Sequence, residues 1–451
     1  MKNFFVLSLI AAVIFSSCGR APTGELVGVR DRDTWFEPDP YGMVFVPQGS
    51  FVMGPSDEDV MWAQNAFTRT VSVDAFWMDE TEITNNKYRQ FVYYVRDSIM
   101  RKTLADAGRT EYIIQEDEFG NPLDEPILNW DERIDDEDPE TRQILEELYY
   151  QGDERFWGRR ELDTRKLNFE YFWVDYDQAA RRSNRYNFET GEYEGVVYDQ
   201  RGEESPITDR SSFVLRDEVN VYPDTLVWIH DFTYSYNEPM ANMYFWHPSY
   251  DDYPVVGVTW KQANAFSIWR TKYLNDHLAK RGMGFVQNFR LPLESEWEYA
   301  ARGGLTLSPY PWGGPYTRNY DGCFLANFKP LRGNYTDDGW LYTAPVASFE
   351  PNDYGLYDMA GNVAEWTQNA YDESFYIVTH DMNPNYSYNA LPDDPPALKR
   401  KVVRGGSWKD VAYYLQVSTR SYEYQDTANS YIGFRNVRSY LGDKGGGRQW
   451  W

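Results

Sequence analysis

The amino-acid sequence predicts a fold of mixed helices and short strands that are joined by long, irregular loops. Two β-type runs flank Pro47 and Gly49 in YGMVFVPQGSFVMGP, which indicates a hairpin. Helices are predicted after Thr84 and Thr259, because each threonine can cap the apolar stripe that follows it. The last third of the chain is rich in Gly, Asn, Asp, Pro and aromatic residues. We therefore expect a core built from loops, of a kind often held together by metal ions.

The other predicted elements rest on end signals and apolar spacing. A short helix in RLPLESEWEYAARGG begins at Pro292 and ends at Gly303, and another begins at Asp138 and runs to Gly152. The aromatic segment VNVYPDTLVWIHDFTYSY at 219–236 is predicted to be strand or extended chain. The apolar faces of the two long helices consist of Tyr88, Phe91, Val92 and Val95 after Thr84, and of Ala263, Phe266 and Trp269 after Thr259.

Composition and charge indicate a folded, acidic protein. The 451 residues carry a net charge of −26, and 18% of them are aromatic. About 19 of the excess negative charges lie between residues 96 and 250, which we interpret as an insertion into the main domain. The absence of a basic stripe argues against a nucleic-acid partner. An acidic solvated surface, a calcium site or a basic partner protein remain as explanations of the charge.

The N-terminal residues have the pattern of an export signal. Lys2 precedes an apolar run in MKNFFVLSLIAAVIFSS, so residues 1–17 are predicted to be a signal peptide. The run is too short to remain in a bilayer as a stable span. Because Cys18 follows two small residues directly, we expect it to be lipidated, with residues 18–40 as a tether. The alternative is an ordinary cleaved signal with an incidental cysteine.

Cysteine and histidine are too sparse to predict a disulfide framework or a histidine-based metal centre. Cys323 is the only cysteine besides Cys18, so we expect the fold not to depend on disulfides. We predict a small buried side chain at Cys323, with a reactive thiol as the alternative. The four histidines are isolated in the sequence and are predicted to be structural or surface residues: His230, His247, His277 and His380.

Six segments, in order along the chain, resemble the formylglycine-generating enzyme family, also called the sulfatase-modifying factor family. They are FVPQGSFVMG at 45–54, FWMDETEITNNKYRQFV at 76–92, PVVGVTW at 254–260, RLPLESEWEYAARGG at 290–304, YGLYDMAGNVAEWT at 354–367, and RGGSW with GFR at 404–408 and 433–435. The resemblance implies a single, loop-rich α+β domain related to the C-type lectin fold. Its two parts would be residues 41–95 and 251–440, on either side of the acidic insertion at 96–250.

Catalysis in that family depends on two cysteines shortly after the GGS turn, which bind copper and activate oxygen to convert a substrate cysteine into formylglycine. At the matching positions this chain has Asp410 and Leu415. Neither side chain supplies a thiolate, so the resemblance predicts no copper and no enzyme activity. Relatives that use non-haem iron carry a histidine trio, and the histidines of this chain do not form the corresponding His-x-x-x-Glu-x-x-x-His arrangement.

The resemblance also implies two structural calcium ions. Both sets of implied ligands offer hard oxygen donors at close spacing. The alternative for any one aspartate among them is a turn-forming side chain. The implied ligands are Asp358, Gly361, Val363 and Glu365 for the first ion and Asn327, Phe328, Asp338 and Trp340 for the second, with Gly361, Val363, Phe328 and Trp340 contributing backbone carbonyls.

A lipid anchor, a sulfatase-modifying domain without its cysteines and a long acidic insertion occur together in gliding-motility and type IX secretion lipoproteins of the Bacteroidetes. Similarity to that group implies attachment to the periplasmic face of the outer membrane. It also implies assembly into a ring with a GldN/PorN-like partner, further copies of the chain and other secretion components. We expect residues 96–250 and the C-terminal tail, 441–451, to form the contact surface, since Tyr, Trp and Arg are common at interfaces. Alternatives are a solvated decoration without a partner, an oxidase with an unrecognised site, or a calcium-dependent glycan-binding module.

Overall fold

The structure is a computed structural model that describes residues 37, 39–55, 67–116, 119–199, 202–232, 237–331 and 333–442. The predicted signal peptide, the lipidation site Cys18 and all but two residues of the tail 441–451 lie outside the described residues. Residues 39–441 form one unit. Within the described part of the chain, no helix is both long enough and apolar enough to cross a membrane.

The described residues contain eight α-helices, of which two are long. The helices are α1 Asn85–Asp106, α2 Pro139–Leu145, α3 Tyr176–Ala180, α4 Val227–His230, α5 Glu238–Met243, α6 Trp260–Lys280, α7 Glu294–Arg302 and α8 Phe375–Val378.

Side-chain caps start the two long helices, as the sequence predicts. The Thr84 hydroxyl accepts a hydrogen bond from the Lys87 amide at 3.3 Å at the start of α1. At α6, Thr259 and Gln262 form a reciprocal capping box, with the Gln262 side chain accepting from the Thr259 amide at 2.8 Å. The predicted end of α7 is also confirmed, because Gly303 adopts a left-handed conformation with φ of 56°.

Two predictions within residues 96–250 are wrong in part. Asp138 does cap α2, by accepting from the Thr141 amide at 3.0 Å. The helix nevertheless ends at Leu145 and does not reach Gly152, because the chain turns to an extended conformation at Tyr149, which pairs with Leu162. The described part of the aromatic segment, residues 219–232, is extended at its start and then folds into α4.

The strands are short, and most lie in pairs. They are β1 Met43–Val46, β2 Gly49–Met53, β3 Arg69–Val73, β4 Phe76–Asp79, β5 Ile113–Glu116, β6 Pro122–Leu128, β7 Asn168–Val174, β8 Tyr186–Asn187, β9 Glu192–Tyr193, β10 Val196–Tyr198, β11 Glu204–Pro206, β12 Val214–Asn220, β13 Phe289–Arg290, β14 Ala364–Ala370, β15 Arg400–Arg404, β16 Ser421–Tyr424, β17 Ile432–Gly433 and β18 Val437–Ser439.

Two four-stranded sheets organise the domain, with strand orders β1-β4-β18-β13 and β16-β15-β14-β17. The predicted hairpin around Pro47 and Gly49 is wrong, since β1 pairs with β4 while β2 pairs with β3 in a separate sheet. Every residue of β4 is buried, so β4 needs a partner on each side. Distant strands β1 and β18 supply those partners, and the local turn only moves the chain from one sheet to the next.

An aromatic core lies between the two long helices. The rings of Tyr88 on α1 and Phe266 on α6 stack at 5.6 Å, and Phe91 contacts Trp269 at 5.2 Å. The ring of Phe169 on β7 also contacts Phe91, at 5.2 Å. Part of residues 96–250 therefore packs on the core, and α1 continues past the predicted boundary at residue 95 as far as Asp106.

Candidate functional site

The segment YGLYDMAGNVAEWT folds into a tight loop whose shape depends on close backbone contacts. Gly361 has φ of 85°, and a Cβ atom there would lie 2.4 Å from the carbonyl oxygen of Asn327. The Asn362 amide donates to that same carbonyl at 2.9 Å, and the Gly361 amide donates to the carbonyl of Gly405 at 3.0 Å. The loop is thus fixed against the two other segments that carry predicted site residues.

Three buried carboxylates meet at this loop. Glu82 comes from the turn before α1, Asp358 from the loop itself and Glu365 from β14. Both oxygens of Glu365 accept hydrogen bonds from the buried guanidinium of Arg435, the shortest at 2.6 Å. Glu82 accepts from the side-chain amide of Asn362 at 3.0 Å.

The electrostatics show that negative charge exceeds positive charge at this centre. Burial, followed by the nearby carboxylates of Asp358 and Glu365, raises the pKa of Glu82 well above its ordinary value. Burial likewise raises the pKa of Asp358 to about 6. Arg435 supplies one positive charge for three carboxylates. Either protons or a bound cation would balance the remainder.

The donors available at the centre are oxygen atoms. One oxygen of Asp358 accepts from the Ala347 amide at 2.7 Å, and the other has no hydrogen bond to any described residue. No three His, Cys, Asp or Glu side chains are placed to hold a metal ion by themselves in the described ranges. A cation here would therefore require backbone carbonyls, such as those of Gly361 and Val363, in addition to the carboxylates.

The second predicted group lies beside the first. Asn327 joins the two, because its backbone contacts the 361–362 turn while its side-chain amide donates to the carbonyl of Tyr342 at 2.7 Å. One carboxylate oxygen of Asp338 accepts from the Trp340 amide at 3.2 Å. The other is buried with no hydrogen-bond partner in the described part of the chain, and burial raises the pKa of Asp338. An unpartnered buried oxygen is costly unless a proton or cation occupies the space before it.

Sequence reasoning missed Glu82. It lies 280 positions before Asn362, to which it is hydrogen-bonded. The available signal was the position of Glu82 in ETEITN, two residues before the helix cap Thr84. Local spacing could not predict that Glu82 would be fully buried and hydrogen-bonded to a distant segment.

Comparison with known proteins agrees with this architecture. The family described as sulfatase-modifying factor enzyme 1-like domain matches residues 34–440. The chain belongs to that family.

The similar proteins include both enzymes and a relative named inactive. Over 190 residues the chain is 35% identical to the inactive C-alpha-formylglycine-generating enzyme 2 of Bos taurus, covering 41% of this chain and 50% of the relative. It is 34% identical over 190 residues to the formylglycine-generating enzyme of Streptomyces coelicolor, covering 41% and 52%. The matched region thus spans about half the length of these relatives. Among solved structures, PvdO from Pseudomonas aeruginosa is 17% identical with a TM-score of 0.41, over 88% of this chain and 94% of PvdO.

Asp410 and Leu415, the positions implied for the family's cysteines, both follow the GGS turn after β15. Burial raises the pKa of Asp410, whose carboxylate accepts from the Ser407 hydroxyl at 2.6 Å. Leu415 is fully buried in an apolar cluster with Tyr310, Phe328 and other side chains. The apolar surroundings of Leu415 suit a hydrocarbon side chain, and neither Asp410 nor Leu415 is a soft metal ligand.

Residues from the 96–250 segment cover the neighbouring surface. Trp228 of α4 stacks on Trp408 of the RGGSW motif at 6.0 Å with an interplanar angle of 18°. Phe232 contacts the same indole at 5.4 Å. Asp231 accepts from both the amide and the hydroxyl of Ser430, at 2.9 and 2.7 Å. The surface next to the GGS turn is thus closed by the chain's own aromatic residues.

The remaining predicted candidates are scattered. Cys323 is exposed, so the prediction of a buried side chain is wrong: its amide is held by the Asn319 side chain at 2.9 Å in a surface turn. All four histidines are exposed. The ring of His247 accepts from the Ser249 amide at 3.2 Å, which is a structural role.

Replacement of Gly361 by alanine should lower the free energy of unfolding several times more than the same replacement at a left-handed glycine with open space around it. The added Cβ would collide with the Asn327 carbonyl, and we expect a loss of roughly 3 kcal/mol in denaturant unfolding. Gly282→Ala is the matched control, because Gly282 has φ of 67° and open space around it. We expect about 1 kcal/mol there, and equal losses for the two variants would contradict the importance of the Asn327 contact.

Proposed function

We propose that this protein is a non-catalytic outer-membrane lipoprotein of the type IX secretion and gliding-motility machinery, of the GldK/PorK type. The observation that carries the proposal is the chemistry at positions 410 and 415. A carboxylate and a fully buried leucine occupy the two places where the family's oxidases need thiolates. The domain keeps its loops, caps and buried charge centre, so the scaffold is retained without the reactive pair.

Oxygen activation by this family requires a soft, redox-active site. Copper(I) is bound by thiolates, and neither Asp410 nor Leu415 can provide that donor. The exposed Cys323 sits in a separate surface turn, and a single thiol does not form a two-thiolate site. The residues present do not fit copper, and we derive no oxidation step from them.

Purified protein should neither bind copper(I) tightly nor oxidise a cysteine-containing peptide. Copper retention after dialysis, oxygen uptake and peptide mass are the measurements. The formylglycine-generating enzyme of Streptomyces coelicolor is the positive control. Copper-dependent formation of formylglycine by this chain would overturn the proposal in favour of an oxidase with an unrecognised site.

Membrane attachment is the second part of the proposal. It rests on the short apolar run followed by Cys18, which predicts an acylated cysteine facing the periplasm. The few residues after Cys18 in CGRAPTG lack an acidic cluster of the kind associated with surface display in the Bacteroidetes, which favours the periplasmic face.

Cys18→Ala should release the protein from the outer membrane and reduce secretion. Fractionation by density-gradient centrifugation measures the first effect, and the yield of secreted proteins measures the second. Cys323→Ala is the control, and we expect it to change neither. A Cys18→Ala protein that remains in the outer-membrane fraction would argue against the lipid anchor.

Assembly with a GldN/PorN-like ring partner and with further copies is the third part. An exposed aromatic tip in the 96–250 segment supports a contact role: Phe156 and Trp157 are 72% and 90% exposed. Trp157 has φ of 54°, an unusual conformation for a bulky residue. Arg160 holds the base of the tip rigid through Glu146, at 3.2 Å, and by lying 3.7 Å over the Tyr149 ring. Rigid, exposed aromatic residues are favoured as interface anchors.

Phe156→Ala with Trp157→Ala should weaken binding of the ring partner to the membrane-extracted protein by about thirtyfold or more, measured by co-purification, since aromatic anchors contribute roughly 1–2 kcal/mol or more each. Tyr320→Ala is the control, because Tyr320 is 97% exposed but lies outside residues 96–250. Undiminished recovery of the partner with the double variant would exclude the tip from the contact.

We further propose that calcium binds at the buried centre, with a structural role. Asp358 and Glu365, with the carbonyls of Gly361 and Val363, would hold the first ion beside Glu82, and a hard dication would balance the excess negative charge there. Asn327 and Asp338, with the carbonyls of Phe328 and Trp340, would hold the second, in front of the unpartnered oxygen of Asp338.

Calcium should raise the melting temperature of the protein over that in a chelator, by roughly 3–6 °C at saturating concentration. Glu82→Gln should remove most of this shift. It should still fold without calcium, because glutamine keeps the side-chain size and removes a buried charge. Glu137→Gln, at an exposed position, should keep the full shift. A full shift in Glu82→Gln would show that calcium does not bind at this centre.

Two alternative functions can be distinguished from the proposed one by experiment. A GldJ-like gliding lipoprotein would share the domain and the anchor, and the partner recovered from membranes would tell it from GldK/PorK. A calcium-dependent glycan-binding module would need open coordination positions. The buried centre leaves little room for sugar hydroxyls, as Glu82 and Glu365 are both 0% exposed, and a glycan array tests this directly.

A further inference from the structure

A long groove crosses the 96–250 segment, away from the carboxylate centre. It lies between α1, the β5–β6 hairpin and the β7–β12 ribbon, and has a volume of about 1330 Å³. Small-molecule sites are typically about 300–1,000 Å³. The groove is therefore large enough for a peptide segment.

An unpaired strand edge borders the groove. β12 pairs only with β7 among the described strands. Every residue from 214 to 218 lines the groove. Because the side chains of a strand alternate between its two faces, a groove that touches consecutive residues must lie along the edge of β12.

The hydrogen-bond pattern shows which backbone groups face outward from that edge. At the two ends of the ribbon, the Asp175 amide donates to Phe213 and the Val221 amide donates to Leu167, both at 2.9 Å. With the observed register, the backbone N–H and C=O groups of residues 215, 217 and 219 point toward β7. Those of residues 214, 216 and 218 point away from it.

Of the three outward amides of β12 that line the groove, at 214, 216 and 218, one is open. The Val214 amide donates to Ser211, and the Glu218 amide donates to the Asp217 side chain at 2.9 Å. The Arg216 amide has no partner among the residues that the structure describes. Arg216 is therefore the point at which an added strand could form backbone hydrogen bonds.

Charge and polarity define what the groove would accept. Glu170 lies directly opposite Glu218 across the ribbon, a like-charge pair that is unfavourable without a cation. Arg216 approaches Glu170 only to 3.8 Å, and both side chains are about 70% exposed, so this ion pair is weak. Apolar side chains form the floor. The charged residues that line the groove are the acidic Asp106, Glu170, Asp199, Asp217 and Glu218 and the basic Lys102 and Arg216.

We propose that this groove binds an extended segment of a partner protein in which basic residues alternate with apolar ones. The segment would add a strand beside β12, with its backbone bonded at Arg216. Its apolar side chains would face the floor formed by Ile99, Phe169 and Leu215, and its basic side chains would approach Glu170 and Glu218. The proposal rests on the scaffold role above and adds to it the chemistry of one partner segment.

Fluorescence anisotropy with a labelled peptide of about eight residues, alternating lysine and valine, tests this on the purified chain. We expect binding that weakens with salt, and no binding of a glutamate–valine peptide of equal length. Glu170→Gln with Glu218→Gln should lower the affinity about three- to tenfold. Glu137→Gln with Glu147→Gln removes the same charge at exposed positions outside the groove and should have no effect.

Two substitutions at one position separate strand addition from simple charge attraction. Arg216→Ala removes a cation that repels the peptide and should leave the affinity equal or higher. Arg216→Pro removes the same cation and also the amide donor, and should lower the affinity by about tenfold relative to Arg216→Ala. Circular dichroism confirms that both variants fold.

Equal affinities of these two variants, or equal binding of the acidic peptide, would overturn the proposal. Because the assay uses neither membranes nor copper, its failure leaves the scaffold role to be judged by the tests above. Unchanged secretion with Cys18→Ala, together with intact peptide binding, would instead count against the scaffold role.

Discussion

One buried cation holds the central parts of the domain together. The guanidinium of Arg435 donates to both oxygens of Glu365 and to the backbone carbonyls of Asp79, Glu80 and Tyr357. These groups belong to the first sheet, to the loop after it and to the second sheet, so a single side chain fixes their relative positions. Removing either member of a buried pair leaves an uncompensated charge, which is far more costly than the pair is favourable. The same arginine leaves two further carboxylates, Glu82 and Asp358, without a countercharge of their own, and their pKa values are raised.

The parts of the fold that depend on neighbouring residues were predictable from the sequence. Thr84 and Thr259 cap helices because each hydroxyl accepts from an amide only three residues later, a contact that does not depend on the rest of the fold. Gly303 ends a helix for an equally local reason. The hairpin at Pro47 was predicted wrongly because strand pairing is decided by which distant strands need partners, and a turn-like sequence between two β-runs carries no information on that.

The candidate site shows the same division. The identities of Asp410 and Leu415 can be read from the sequence, and neither side chain supplies a thiolate. The residues that surround the candidate site could not be predicted from the sequence. Glu82 reaches the centre from a remote part of the chain, and Trp228 covers the RGGSW motif from a segment whose helix was predicted as extended chain. Charge balance and burial at a site arise from residues that come together only in the folded state.

The strand order β1-β4-β18-β13 also bears on how the molecule is made. A strand near the end of the chain lies between two strands synthesised much earlier. Until Val437–Ser439 has emerged, β4 and β13 each keep an open edge, and such edges are where growing chains associate wrongly. This sheet therefore cannot be completed until β18 has been made, and the edges of β4 and β13 that β18 covers stay open until then.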